Sequence, residues 1–137
     1  MLASVLMTAS ATIFLILGTI HLIYTFHGPK LTPRDSTLQS RMAEVHPVLT
    51  RETTMWKAWV GFNASHSLGA MLFGLVYGYL AIAQSQLLFQ SPFLLAVGLA
   101  MLGSFVLLAK RFWFKIPLAG ICLSLACYVA SIIAARL

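Results

Sequence analysis

The sequence predicts an all-α fold, an integral membrane four-helix bundle with both termini outside the cytoplasm and a short amphipathic helix in the first cytoplasmic loop. Three observations predict it. The 137 residues are 60% hydrophobic and only 9% charged, where ordinary soluble chains carry about 25% charged and about 45–50% apolar residues. The charges are confined to short stretches of the chain. The uncharged runs between them match the length that crosses a bilayer as a helix, about 20 residues. A soluble fold of this size could not cover its surface with so few polar groups. Disorder, a disulfide scaffold and a free cytosolic enzyme are excluded on the same ground. The length allows one transmembrane domain, residues 1–137.

The first 29 residues have no charged side chain, and residues 3–26 supply the first span. The segment lacks a basic start, and its apolar core exceeds the usual ~7–15 residues of a signal peptide, so we read it as a retained span. The polar loop 27–52 follows. It opens on the turn HGPKLTPRD, after which residues 36–45 place Leu38, Met42 and Val45 at helical spacing. Asp35 or Ser36 can cap this short helix, which could lie on the headgroups or close over the spans as a lid. Residues 58–109 are again free of Asp, Glu, Lys and Arg and too long for one crossing. Polar residues at 84–91 divide them into spans at 53–83 and 92–109. Pro92 suits a first helical turn, where its missing N–H would be unpaired anyway. The third span could run on through Lys110 to Trp113. The fourth is 117–135.

The basic residues predict the orientation. Loops 27–52 and 110–116, with the adjoining ends of the spans, hold Lys30, Arg34, Arg41, Arg51, Lys57, Lys110, Arg111 and Lys115, whereas the opposite side holds Arg136 alone. The basic side is normally cytoplasmic, which points to a bacterial inner membrane with both loops inside. The formal charge of +6 is then a signal for orientation and for anionic headgroups. It is not a nucleic-acid signal, because the bases form no stripe on a soluble face. Trp56, Trp59 and Trp113 near this side fit an aromatic belt. Cys122 and Cys127, five apart, project about 140° from one another on a helix, which is neither a redox nor a metal pair. Gly74 and Gly78 form a GxxxG match suited to close helix packing.

The second span carries the chemistry. With Glu52 at zero and about 100° per residue, Trp56, Trp59, Asn63, His66, Ala70, Gly74 and Tyr77 all fall within about 40° of it. A polar stripe of this depth normally faces a bundle interior. On the first span Gly18, His21 and Thr25 share a face. We therefore take His21, Glu52, Trp56, Trp59, Asn63 and His66 as candidate ligand-binding residues. The structural alternative is that Asn63 and His66 only hold helices together, at about 0.6 kcal/mol per contact.

The chemistry of this set suits the polar head of a lipid or quinone, with the apolar part against the indoles. A single-histidine haem or pigment also fits. A haem shared by both histidines needs them level, whereas His21 lies about 9 Å inside its boundary and His66 about 18–20 Å inside its own. No metal is expected, since a site wants three convergent ligands. As an enzyme the chain would use His21 or His66 as base and Glu52 as acid. Ser65 and Ser67 flank His66, but helix neighbours do not face each other, so this is no dyad. Proton-driven transport lacks a membrane-embedded acid. The expected partners are membrane lipids, with a larger membrane complex or a second copy of the chain.

His21 near the end of span one, a polar loop, then MWKAWVGFNASHSLG resembles small bacterial four-span membrane proteins of uncharacterised function. That resemblance covers most of the chain and implies no activity. Sterol-isomerase-like four-span proteins also pair intramembrane His, Glu, Asn and Trp, but here the acid stands at the interface.

Overall fold

The computed structural model describes all residues, 1–137. It is all-α, with α1 at Leu2–Phe26, α2 at Ser36–Glu44, α3 at Met55–Ala83, α4 at Ser85–Gln90, α5 at Pro92–Phe112 and α6 at Lys115–Ala134. Four of these, α1, α3, α5 and α6, are long and apolar enough to cross a membrane, and no more than 33% of the most apolar stretch of each is buried. Large apolar side chains such as Ile16, Phe62, Leu72, Ile82, Leu107 and Ile133 stand exposed instead. In water that surface would be untenable. Against acyl chains it is what a span presents. The protein is a small integral membrane protein with four spans and a short helix between the first two.

The chain forms two compact units, residues 1–17 with 70–137, and residues 18–69. In the first, parts of all four long helices pack along seams of three- and four-residue spacing, the helical repeat. On α1 the seam is Ala3, Met7, Ser10, Ala11 and Phe14; on α6 it is Ile121, Ser124, Tyr128 and Ser131. Small residues set the helix spacing. A Cβ on Gly74 would lie 2.6 Å from Leu15 Cβ and 2.7 Å from the Ala11 carbonyl oxygen, so α3 crosses α1 at backbone contact there. At Gly78 the same test gives an ordinary 3.7 Å to Ala11 Cβ. The GxxxG match thus packs within the chain, and its first glycine makes the crossing.

Around that crossing lies an aromatic cluster. Phe14 meets Phe73 and Phe105 edge-on, at centroid distances of 5.2 and 4.9 Å. Phe73 stacks on Tyr77 at 4.4 Å, and Tyr77 meets Tyr128 at 5.8 Å. Both phenols sit over Gly98, where any Cβ would strike them. Tyr77 donates to the Leu94 carbonyl at 2.6 Å and Tyr128 to the Leu95 carbonyl at 2.9 Å. Ser124 donates to the Ser10 carbonyl at 2.9 Å, with the two hydroxyl oxygens 3.0 Å apart. Serines and tyrosines, and not the amide and imidazole of the polar stripe, supply the interhelical hydrogen bonds of this unit. Tyr128→Phe should cost about 0.5–1.5 kcal/mol, the usual worth of one such bond. Thermal unfolding in detergent measures it, and an unchanged midpoint would show the bond adds nothing.

One local feature departs from the sequence reading. Residues 84–91 contain α4, a single and a half turns, where a plain loop was expected. Leu88, completely buried, anchors it, so burial overrides a Gln- and Ser-rich composition. At its end Ser91 caps α5 by accepting from the Leu94 N–H at 3.3 Å, with Pro92 in the first turn. This is the start signal read from the sequence. The third span continues to Phe112, past the basic residues Lys110 and Arg111 in its last turn, where positive charge complements the helix dipole.

In the second unit α2 begins as expected. The Asp35 carboxylate accepts from the Thr37 N–H at 2.9 Å and the Thr37 hydroxyl at 2.6 Å, an N-cap. These bonds hold the Asp35 carboxyl below its ordinary value of 3.8. A depressed carboxylate stabilises the helix above the unfolded value and loses that contribution as pH falls through the folded one. Protection of the Thr37 amide from hydrogen exchange should therefore fall as pH drops below the ordinary aspartate range, and Asp35→Ala should show the lower protection at neutral pH. Equal rates in both proteins at neutral pH would remove the cap. No residue of α2 is buried.

Candidate functional site

The site is built from the last turns of α1, the loop that follows and the first half of α3. The α1 helix closes with the His27 N–H on the Ile23 carbonyl at 2.8 Å. Gly28 then takes a left-handed φ of 78°, a conformation that costs glycine little. That turn sends Pro29–Thr32 back over the helix ends. Trp59 latches the loop by donating from its indole Nε1 to the Leu31 carbonyl at 2.9 Å. A second clasp joins the end of α2 to the start of α3. The Met55 N–H donates to the Val45 carbonyl at 2.9 Å, and His46 Nδ1 donates to the Thr53 carbonyl at 2.7 Å.

Because the loop runs beside the first turns of α3, that helix extends further than α1 on this side. This corrects the expected mismatch in histidine depth. Counted from the two helix ends His21 and His66 differ by several residues, yet their rings meet edge to face, with centroids 5.3 Å apart and planes at 72°. The two helix ends simply do not mark the same level. No macrocycle plane can pass between rings in direct contact, so a haem ligated by both on opposite faces does not fit.

Glu52 does not stand where the helical wheel places it. The α3 helix starts at Met55, with Thr54 as its cap through the Lys57 N–H at 3.3 Å. Glu52 lies ahead of it in a bend, exposed, with its backbone N–H on Thr50 Oγ1 at 3.1 Å. It does not continue the helical stripe. The pairing of Glu52 as acid with either histidine as base therefore loses the helical placement on which it rested.

Asn63 and Trp59 are linked on their own helix, with Asn63 Nδ2 donating to the Trp59 carbonyl at 2.8 Å. Sequence reasoning passed over Ser67. It lies completely buried, donates to the Asn63 carbonyl at 2.9 Å and stands 2.8 Å from His21 Nδ1. A hydroxyl has one proton. With that proton on Asn63 O, Ser67 accepts from His21 Nδ1–H, which leaves the His21 lone pair on Nε2. The signal was available, since Ser67 falls about 60° round the same wheel, one turn from Asn63 on its face. It cannot face its neighbour His66, and its partner His21 is on the other helix, out of view of a single wheel. Thr25 completes the arrangement by donating to the His21 carbonyl at 2.8 Å.

Above the histidines, toward the loop, lies a cleft of about 120 Å³. Its walls include Trp56, Trp59 and Asn63 of α3, Tyr24 and Thr25 of α1, and Thr32 of the loop. No residue of α2 lines it, so the short helix is not its lid. The cleft is smaller than the roughly 300–1,000 Å³ of drug-sized ligand pockets. His21 and His66 do not line it. They lie one helical turn deeper, next to Thr25 and Asn63 along their helices. The expected seam is thus two adjoining parts, an aromatic cleft and a paired-imidazole floor, with Asn63 common to both. No group of three or more His, Cys, Asp or Glu is arranged to hold a metal ion, and Cys122 and Cys127 are both free.

The chain matches no known family model, no curated protein and no solved structure. The resemblance to small bacterial four-span proteins therefore rests on the sequence motif alone.

Proposed function

We propose that this chain is a small integral-membrane binding protein. It holds the polar head of a membrane-dissolved ligand, a lipid or a quinone, at the His21/Trp56/Trp59/Asn63/His66 seam, and packs within a larger membrane complex. One observation carries the reading. Between two helices that are mostly apolar along their length, an imidazole is oriented by a buried hydroxyl that is itself oriented by a carbonyl one turn away. Polar groups at such depth cost free energy, and chains keep them where they meet a ligand or pathway. The small cleft beside them favours a headgroup over a whole pigment.

Native mass spectrometry of the protein purified in mild detergent tests this. The expected result is a retained small molecule or a partner chain, with the small molecule lost in His66→Ala while the helical circular dichroism is kept. A bare monomer in wild type, or a mass profile unchanged by His66→Ala, refutes the ligand site.

The orientation belongs to the same proposal, with loops 27–52 and 110–116 in the cytoplasm of a bacterial inner membrane. The eight-to-one distribution of bases supports it. A cysteine at Arg51, in a background with Cys122 and Cys127 replaced by Ala, should resist a membrane-impermeant maleimide in intact cells, and one at Arg136 should react. The reverse labelling would invert the topology.

A further inference from the structure

We infer that the aromatic cleft at the loop end of α1 and α3 takes the ammonium group of a zwitterionic phospholipid, of the phosphatidylethanolamine or phosphatidylcholine kind. The inference rests on the ligand-holding reading above and specifies what the cleft part of that site binds.

Hydrogen-bond bookkeeping leads there. Thr25 spends its hydroxyl proton on the His21 carbonyl, and Thr32 spends its own on the Pro29 carbonyl at 2.9 Å. Trp59 spends its indole proton on the Leu31 carbonyl, and Asn63 one amide proton on the Trp59 carbonyl. What the two threonines then have to offer is oxygen lone pairs, and Asn63 adds the acceptor Oδ1. The remaining walls are aromatic, from Tyr24, Trp56 and Trp59. Acceptor oxygens and electron-rich ring faces together attract a cation. The same lining keeps three donors, the Tyr24 hydroxyl, the second Asn63 amide proton and the Trp56 indole N–H, so it suits a group that carries both charges. No acidic side chain lines the cleft, which suits a diffuse organic ammonium better than a bare metal cation.

Lys30 Nζ sits 5.9 Å from the centroid of the Tyr24 ring and is not itself among the lining residues. Size agrees. The cleft, about 120 Å³, is well below the roughly 300–1,000 Å³ of pockets that take whole drug-sized ligands, which suits an alkylammonium better than a fused ring system. Position decides between a lipid and a soluble amine. The cleft lies where the apolar α1 ends and the polar loop begins, the depth of headgroups, with tryptophan and tyrosine at the level they favour in bilayers. Those three donors suit the phosphate oxygens of the same headgroup, with the Lys30 charge beside Tyr24.

The test is lipid competition read by native mass spectrometry. The detergent-purified protein is offered phosphatidylethanolamine, phosphatidylcholine and phosphatidylglycerol with identical acyl chains, and in separate arms a short-tailed ubiquinone and soluble phosphoethanolamine. Adducts of the two ammonium lipids should exceed those of phosphatidylglycerol about tenfold. Tyr24→Leu and Trp56→Leu should each abolish that preference, and Trp56→Phe should retain part of it; quenching of tryptophan fluorescence by brominated lipid gives a second readout in each variant. Equal retention of all three lipids overturns the inference, as does a preference that survives both leucine variants. Phosphoethanolamine binding as tightly as the lipid would also overturn it, by making the ligand a soluble amine. Retention of ubiquinone without lipid preference defeats this inference and leaves the proposed function standing. Retention of nothing in any arm defeats both.

Discussion

Gly74→Val should leave the protein unable to reach its native fold in mild detergent. The new Cβ would stand 2.6 Å from Leu15 Cβ, 2.7 Å from the Ala11 carbonyl oxygen and 3.0 Å from Leu15 Cα. Two of those three atoms are backbone, which cannot swing aside as a side chain would. Overpacking ordinarily costs about 1–3 kcal/mol, and a rigid neighbour puts this case at the upper end or beyond. The β-branched side chain adds a second clash with α1. Separating the helices would also open the Phe14–Phe73–Phe105 cluster beside the crossing. Two controls make the prediction specific. Gly78→Ala meets only an ordinary contact at 3.7 Å, and a Cβ on Gly69 meets nothing within 4 Å, so both should fold normally. Gly69→Ala should even gain slightly, by up to about 1 kcal/mol of helix propensity. Thermal melts by circular dichroism in one detergent would rank the three. A Gly74→Val protein that melts within a few degrees of wild type would mean that α1 and α3 do not touch at backbone distance.

Ser67→Ala should keep the fold and spoil the site. The substitution removes the acceptor for His21 Nδ1–H and leaves that donor in an apolar surrounding, at a cost of about 1–3 kcal/mol. His21 is half-buried, which places the cost toward the lower end. The larger effect is on geometry: partners that orient metal-ligating imidazoles carry about 10–100-fold in affinity, and an effect of that order is expected here. Ligand retention should fall within that range, with helical content unchanged. Ser67→Thr, which keeps the hydroxyl, should restore most of it. Nitrogen-15 resonances of the His21 ring give a readout that a merely structural serine would not move. In wild type they should report the Nδ1–H tautomer, and in Ser67→Ala a mixture. An identical spectrum in both would show that Ser67 does not set the imidazole, and the relay would then have no part in binding.

The four spans were legible because hydropathy and charge act over twenty residues at a time, and no local detail competes with the exclusion of charge from lipid. The caps were legible for the opposite reason, being short and chemical. Asp35 two residues before Thr37, and Ser91 beside Pro92, need no tertiary context. The errors came where a distant contact decides. Helix α4 depends on burying Leu88, which its polar neighbours do not announce. The level of His21 against His66 depends on how the 27–32 loop folds back, a turn set by Gly28 and latched by Trp59. A wheel begun at Glu52 starts three residues ahead of the helix, because Thr54 caps α3 and Met55 opens it. Ser67 shows the limit of reading one helix at a time. Its own wheel put it beside the stripe, but only the approach of α1 gives it a partner. On the other hand Trp56, Trp59 and Asn63 do share one cleft, as a shared helical face requires.

The clasp between α2 and α3 has a practical consequence. Its two backbone-directed bonds, Met55 to Val45 and His46 to Thr53, tie off residues 46–54 as a small closed ring of chain. The tip of that ring, Val48 and Leu49, is 109% and 94% exposed. Length added between those two residues leaves both knots in place, and enlarging a surface loop costs little entropy. Val48–Leu49 is thus a natural splice point for an epitope or a fluorescent reporter, in a stretch that does not line the cleft.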